Sequence, residues 1–437
     1  MFASFIFLLF SGFPVAFILG GLGFFFAILG EILPIELESV ADFTFMGFAT
    51  DRIFSVASSY SLVPMAMFVF MGYMLEKSGV AERLLDSLAT ALRKIPGSLF
   101  LAIVVIGVIL AASTGIIGAS VVLLSTVALP AIVKHNFNIP LGLGSIAASG
   151  CLGILIPPSI MLIVIGDQLQ LSIGDLFMAA IFPGILLSSL YSIYLITKTA
   201  FNHDLAPSLP QSEKSYLELL LSLLRSILPP GLLILSVLGS IFFGIASPSE
   251  ASGIGALGAT ILALIEKKLD FNILKEVCLS TAKTAAFLYM LIFGAACFSV
   301  VLRGYGGDEI IEEGLRGLPF SNTGVLLFLL LTIFLLGFIL DWMEIILIIA
   351  PLTVPVVIDF GFDPIWIAIL IAMILQTSFL TPPVGAALFY IRSTSPPDIP
   401  SKHIYSGVLP FVLLQVVGVA IVWSFPEIAT WLPEQTR

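Results

Sequence analysis

The sequence predicts an all-α polytopic membrane protein built from two inverted-topology repeats, each a re-entrant helical hairpin followed by a transmembrane helix broken at a Pro-Pro pair. Three observations carry that expectation. Residues of the AVILMFWYC set make up 59% of the 437-residue chain and charged residues only 11%, against about 25% charged in soluble domains. Two apolar stretches, 98–133 and 322–358, run for about 36 residues each, so a straight helix would measure about 54 Å in a hydrocarbon core of about 30 Å. Adjacent prolines also stand inside two apolar runs, "LGILIPPSIMLIVIG" (152–166) and "SFLTPPVGAALFYI" (378–391). Each proline in a helix interior costs about 3 kcal/mol.

The N-terminal run "MFASFIFLLFSGFPVAFILGGLGFFFAILG" lacks a basic n-region and is too long for a signal-peptide core. It is expected to form one spanning helix over 2–30, with a tolerated kink at Pro14. Further spans are expected at 61–76, 177–200, 226–247, 250–266, 279–301 and 404–431, and broken spans at 141–167 and 364–392. The two long stretches have weak middles, "AASTGIIGAS" (111–120) and "LGFILDWMEI" (336–345). Hairpins that enter, turn at mid-depth and leave by the same face fit both length and composition. The amphipathic segments 80–95 and 215–227 are expected along the interface or as connecting helices.

The two halves align at a constant offset. Pro130 lies as far before Pro158 as Pro355 does before Pro383, and Phe137 and Phe362 keep the same register, 225 residues apart. This is an internal repeat. The chain divides into an N-terminal span and link (1–60), a first repeat (61–200), a central linker with two spans (201–278), a second repeat (279–431) and a tail (432–437). Five spans separate the hairpins, and an odd number turns the second upside down. Charge agrees: 76–97 carries Lys77, Arg83, Arg93 and Lys94, whereas "RGYGGDEIIEEGLRGLP" (303–319) is acidic. The positive-inside rule places the first hairpin's base in the cytoplasm, with the N-terminus cytoplasmic and the C-terminus outside.

A helix broken at mid-membrane exposes free carbonyls on one side of the break and free N–H groups on the other. A hairpin tip facing such a break makes a small cage of carbonyl and hydroxyl oxygens, which suits a hard cation such as Na⁺. The first cage has Ser113, Thr114, Gly115 and Ser120 at the tip, with Gly150, Gly153, Pro157, Pro158 and Ser159 at the break. The second has Gly337, Asp341 and Glu344 at the tip, with Gln376, Thr377, Thr381, Pro382, Pro383 and Gly385 at the break. Substrate is expected between the two tips. Small residues also serve close helix packing, which is the competing reading for each Gly and Ser. Asp341 and Glu344 are the carboxylates set deep inside an apolar run, and an intramembrane charge is by default functional; the competing reading is a shallow second tip where both are simply hydrated. Asp167 falls at a helix end, at the interface.

"GILIPPS" with "SIGDLFMAAIFPGILL" (172–187), and "LGFILDWMEIILIIAPLTVPV" with "LTPPVGAALF", resemble the large membrane subunit of the tripartite ATP-independent periplasmic (TRAP) transporters. The resemblance covers roughly 10–425. It implies a Na⁺-driven secondary transporter with an elevator-like movement, located in the bacterial cytoplasmic membrane. It also implies an extracytoplasmic substrate-binding protein and a small four-span membrane subunit, here a separate chain. The cargo is then a small organic acid or related polar solute. The "ASTGIIGAS" tip, in place of a Ser-Gly-Ser-like one, is similar to the mannitol, chloroaromatic or keto-acid branch.

Other classes fit less well. An intramembrane enzyme would need buried catalytic groups, but His135, His203 and His403 all read as loop residues and no HExxH or GxSxG motif occurs. Cys151, Cys278 and Cys297 lack metal-ligand spacing. Metal sites beyond Na⁺ and other cofactors are not expected. A net charge of −10 gives no reason to expect nucleic acid as a partner. A passive channel should carry a selectivity-filter loop. The remaining alternative is a stand-alone ion-coupled carboxylate transporter of related architecture, working without a binding protein.

Overall fold

The computed structural model describes residues 1–32, 45–115, 117–207 and 216–436. The helices, in order, are α1 (Phe2–Leu9), α2 (Val15–Ile32), α3 (Phe45–Ala57), α4 (Val63–Lys77), α5 (Val80–Ala91), α6 (Ser98–Thr114) and α7 (Ile117–Lys134). Next come α8 (Ile139–Cys151), α9 (Ile160–Leu169), α10 (Ile173–Phe201), α11 (Tyr216–Phe242), α12 (Pro248–Ile265) and α13 (Phe271–Gly304). The chain continues with α14 (Gly307–Arg316), α15 (Asn322–Leu336), α16 (342–359, with a π-helical turn at Ile345–Ile349), α17 (Pro364–Leu380), α18 (Ala386–Thr394), α19 (Ser401–Ser424) and α20 (Glu427–Thr436). Among the described residues, eight helices are long and apolar enough to cross a membrane, or up to nine if the pair bent by 54° at 57–60 counts as one.

The internal repeat holds element by element. α7 and α16 begin and end 225 residues apart, as do the starts of α8 and α17 and the ends of α9 and α18. The punctuation repeats too. Asn136 (φ 54) and Gly361 (φ 93) close the hairpins' second arms in the left-handed region. Two residues on, Asn138 and Asp363 cap the broken helices, accepting from Leu141 N (3.0 Å) and Trp366 N (2.9 Å). Such caps satisfy N–H groups that a helix start leaves free. Both hairpins form: α6 folds back on α7, and α15 on α16. Both long spans break where expected, and both Pro-Pro bonds are cis.

The two halves interlock reciprocally. α7 of the first repeat packs on α18 of the second, and α16 of the second packs on α9 of the first. Likewise α8 crosses α19, and α17 lies along α10. Exchange of equivalent partners is what a two-fold relation between inverted repeats requires. Five helical spans, the α8–α9 pair and α10 to α13, separate the hairpins, so α6–α7 and α15–α16 enter from opposite ends. At one end Lys77 pairs with Glu276 at 2.6 Å and Arg83 pairs with Glu266. At the other, Arg316 of α14 pairs with Asp359 at 2.7 Å. Inverted insertion has a direct test. With exposed Cys278 replaced by Ser, cysteines at Lys94 and Glu313, both exposed, should label from opposite faces of sealed vesicles. Labelling of both from one face would reject it.

Four expectations are corrected. The single N-terminal span 2–30 is two helices, parted at Gly12 (φ 79) and Pro14. Phe2 and Phe5 stack on Phe298 while Gly23 meets Cys297, so both helices reach the same turn of α13 and lie side by side. The link before residue 61 contains α3. The amphipathic segment 215–227 is no separate surface helix, because α11 runs on through Pro229 and Pro230. The last span ends at Ser424 and a separate α20 returns to α10, with Trp431 on Phe182 at 5.8 Å. A smaller difference is that α13 begins at Phe271 and spans 34 residues, about 51 Å at 1.5 Å per residue.

Candidate functional site

The first tip faces the first break. Gly115 sits at φ 60, and a Cβ on it would lie 3.1 Å from Ile160 Cγ1, 3.2 Å from Ile160 N and 3.4 Å from the Pro158 carbonyl oxygen. A side chain there would both strain the backbone and lift the tip off the break. Three residues on, a Cβ on Gly118 would come 2.9 Å from the Tyr390 ring, so the tip also touches α18 of the other repeat. Ser159 is committed to the break itself: its hydroxyl donates to the Ile154 carbonyl and accepts from Leu162 N at 3.4 Å. Gly150 packs α8 on α7, where a Cβ would meet Val121 Cγ2 at 2.5 Å. Gly153 is buried in the 3-10 turn Leu152–Ile154 before Pro157 and Pro158, and Ser120 is buried in α7. The side chains of Ser113 and Thr114 lie outside the described residues.

At the second break the carbonyl oxygens of Phe379 and Thr381 converge on Gly385, where a Cβ would stand 2.4 and 3.0 Å from them. Only a glycine admits that approach. Thr381 donates to the Thr377 carbonyl (2.7 Å) and Thr377 to Met373 (2.8 Å), leaving lone pairs on both hydroxyls. Pro382 is half-buried and Pro383 exposed. Gly337 ends α15 against Ser378, whose hydroxyl donates to the Phe334 carbonyl at 3.0 Å. Asp341 caps α16 by position without a side-chain hydrogen bond. It sits deep between helices yet is exposed, because it opens on a cavity. Glu344, 3% exposed, has an Oε2 with no hydrogen-bond partner. Gln376 stands apart from the tip. Its amide lies with Gln415 beside the Tyr191 hydroxyl, in a buried cluster between α10, α17 and α19 where none of these polar atoms has a partner at hydrogen-bond geometry.

The tips meet across a cavity of about 440 Å³. Ile117–Ala119 and Val122 of the first hairpin, Asp341–Met343 of the second, Ile160, Ala386 and Tyr390 line it, closed by Tyr73 and Glu76 of α4 and by Thr284, Phe287 and Leu288 of α13. Tyr73 Oη and Thr284 Oγ1 are 2.9 Å apart. The lining has two carboxylates, several hydroxyls and aromatic rings, and no Lys, Arg or His. Sequence reasoning missed Tyr73, Glu76, Thr284, Trp342 and Tyr390. The only available signal was a polar residue within an apolar span, and α4 and α13 carry no break to mark them.

The donor set fits a small hard cation. The converging carbonyls at the second break, the Pro158 carbonyl at the first break and the unpartnered Oε2 of Glu344 are oxygen ligands with spare lone pairs. Among the described residues no cluster of three His, Cys, Asp or Glu side chains offers a transition-metal site.

The family described as "Tripartite ATP-independent periplasmic transporter, DctM component" matches residues 2–428. The C4-dicarboxylate TRAP transporter large permease protein DctM of Pseudomonas aeruginosa is 28% identical over 385 residues, 87% of this chain and 88% of that protein. The sialic acid large permease protein SiaM of Vibrio cholerae is 26% identical, covering 98% of this chain and 96% of its own. The isethionate permease protein DctMQ of Oleidesulfovibrio alaskensis is 26% identical, over 98% of this chain and 65% of its own. The solved structure of the Alcanivorax borkumensis YdaH transporter, described as having an unusual topology, superposes over 99% of both chains with a TM-score of 0.65 at 14% identity, a likeness of fold.

Proposed function

The chain belongs to the DctM-component family of the tripartite ATP-independent periplasmic transporters, as the large membrane permease subunit of a binding-protein-dependent secondary transporter, and from that premise we propose that it imports a small organic acid or related polar solute with Na⁺ as the coupling ion. The observation that carries this is the pair of tips facing their own breaks around one shared cavity. Two ions held at the breaks would order the tips, and substrate between the tips would then bind the ion-loaded form more tightly. Coupling of this kind is a difference in affinity between two states. The named relatives carry C4-dicarboxylates, sialic acid and isethionate, all of them organic anions. The hairpins and broken helices would move as one body against α4, α11, α12 and α13, in an elevator-like step.

The same reading places the Lys77, Arg83 and Lys94 end of the molecule in the cytoplasm of a bacterium, in its inner membrane, with the C-terminus outside. A small four-span membrane subunit and an extracytoplasmic binding protein complete the transporter. The test is reconstitution in proteoliposomes. Uptake should need the small subunit, the loaded binding protein and an inward Na⁺ gradient together. Equal uptake by the single chain without the binding protein would favour the stand-alone carboxylate transporter instead.

A further inference from the structure

We propose that a second cavity, at the opposite end from the acidic one, is the entry site for the anionic group of the substrate, held there by Arg52 and Arg303. The inference rests on the transport reading above and adds the chemistry of entry. The cavity measures about 380 Å³ and is lined by Arg52 and Val56 of α3, Gln168 and Gln170 at the end of α9, Ser299 and Arg303 of α13, and the wall of α16. It is the internal-repeat counterpart of the inner cavity. Under the 225-residue offset α4 maps onto α13, α7 onto α16 and α18 onto α9; the outer cavity is walled by α13, α16 and α9, and their counterparts α4, α7 and α18 line the inner one together with parts of α9, α13 and α16. A further cavity of about 500 Å³ adjoins it at the loop 170–172, sharing Arg52, Val56 and Gln170 and carrying Asp167 as its one acidic lining residue.

The helices correspond but the charges reverse. Glu76 and Asp341 line the inner cavity without a base, and Arg52 and Arg303 line the outer one without an acid. In the topology proposed above, Arg52, Arg303 and Arg316 are the Lys and Arg side chains among the described residues that fall toward the outer end. Arg316 is consumed by Glu312 and Asp359. Arg52 and Arg303 are exposed, and neither forms an ion pair among the described residues, although Asp167 lies within Coulomb range of Arg52. Retention of basic side chains on the face that topology depletes of them, converging on one concavity, calls for an anionic ligand. A low-dielectric cleft focuses such a field and raises the local concentration of the oppositely charged solute. The guanidinium fork matches a carboxylate or sulfonate bidentately. On the inner side Glu76 and Asp341 repel the same group once the coupling ions have left, so the reversal favours capture outside and release inside.

The test reads the cavity without needing transport, so its failure and that of the transport reading stay distinct. In the complex with Cys278→Ser, Ser299→Cys places a thiol in the cavity wall. Its labelling by an anionic sulfonatoethyl methanethiosulfonate is compared with labelling by the cationic trimethylammonium analogue, each normalised to a free thiol. The anionic preference should be about tenfold greater with both arginines than in Arg52→Gln/Arg303→Gln, and Arg303→Lys should keep most of it. Isethionate or succinate should slow the labelling beyond chloride at equal ionic strength, and mannitol should not. An unchanged preference in the double variant, or protection by mannitol equal to that by the anions, would overturn the proposal.

Discussion

Asp341→Asn should raise the Na⁺ concentration for half-maximal uptake by the reconstituted transporter at least about tenfold, while leaving its thermal stability near that of the parent. A cation about 4 Å from a carboxylate gains about 4 kcal/mol at an effective dielectric of 20, and a tenfold change in affinity needs only about 1.4. Asn keeps the shape of Asp341 and loses the charge. Asp341 makes no side-chain cap bond, so little of the fold depends on it. The first repeat is probed by Ser159→Ala, which removes a hydroxyl oxygen from the break together with an N-cap worth about 1 kcal/mol. The second break is probed by Thr381→Val. The parent should give a sigmoidal Na⁺ curve, shifted to higher Na⁺ in at least one variant from each repeat. Uptake driven equally well by a proton gradient in Na⁺-free buffer, or unchanged curves in all three variants, would count decisively against sodium coupling at these breaks.

A second large effect is expected where the repeats cross. A Cβ on Gly407 of α19 would stand 1.9 Å from the Pro140 carbonyl oxygen, and one on Gly144 of α8 2.0 Å from the Gly407 carbonyl oxygen. Both obstacles are backbone, so no side chain can rotate away. Apposed small residues of this kind let membrane helices approach closely. Gly407→Val should therefore cost at least about 3 kcal/mol, the upper part of the usual overpacking range. At about 2 °C per kcal/mol for a chain of this size, the melting temperature of the detergent-solubilised protein should fall by at least about 6 °C. Gly253→Ala, exposed and with nothing within 4 Å of its Cβ, should leave it unchanged or slightly raised. If Gly407→Val melts with the control, α8 and α19 do not form the rigid contact that ties the two broken helices together.

The repeat, its offset, both hairpins and both broken spans were legible in the chain, because each is written in local chemistry. Asn138 and Asp363 are side-chain caps, and length alone forbids a single crossing over 98–133. Of the site, the tips and breaks were legible for the same reason. The scaffold side of the cavity was not, since Tyr73 and Thr284 meet across 211 residues of sequence and sit in ordinary apolar helices.

The proline pairs show where local chemistry stops. Pro157–Pro158 and Pro382–Pro383 interrupt their helices, yet Pro229 and Pro230 lie inside a continuous α11. All three pairs lose the same two donors. At the first two, the Gly115 tip or the Gly385 turn closes on the freed backbone, while α11 packs along α5 and α12 and continues unbroken. What the sequence determined by itself was the periodicity, the caps, the breaks that are possible and the inverted order, all properties of neighbouring residues. Only the tertiary structure decided which possible break is used, which hydroxyls are spent on caps, that Gln376 turns to Tyr191, and that Arg52 and Arg303 share one cavity. Those are contacts between residues far apart in the chain, and packing alone brings them together.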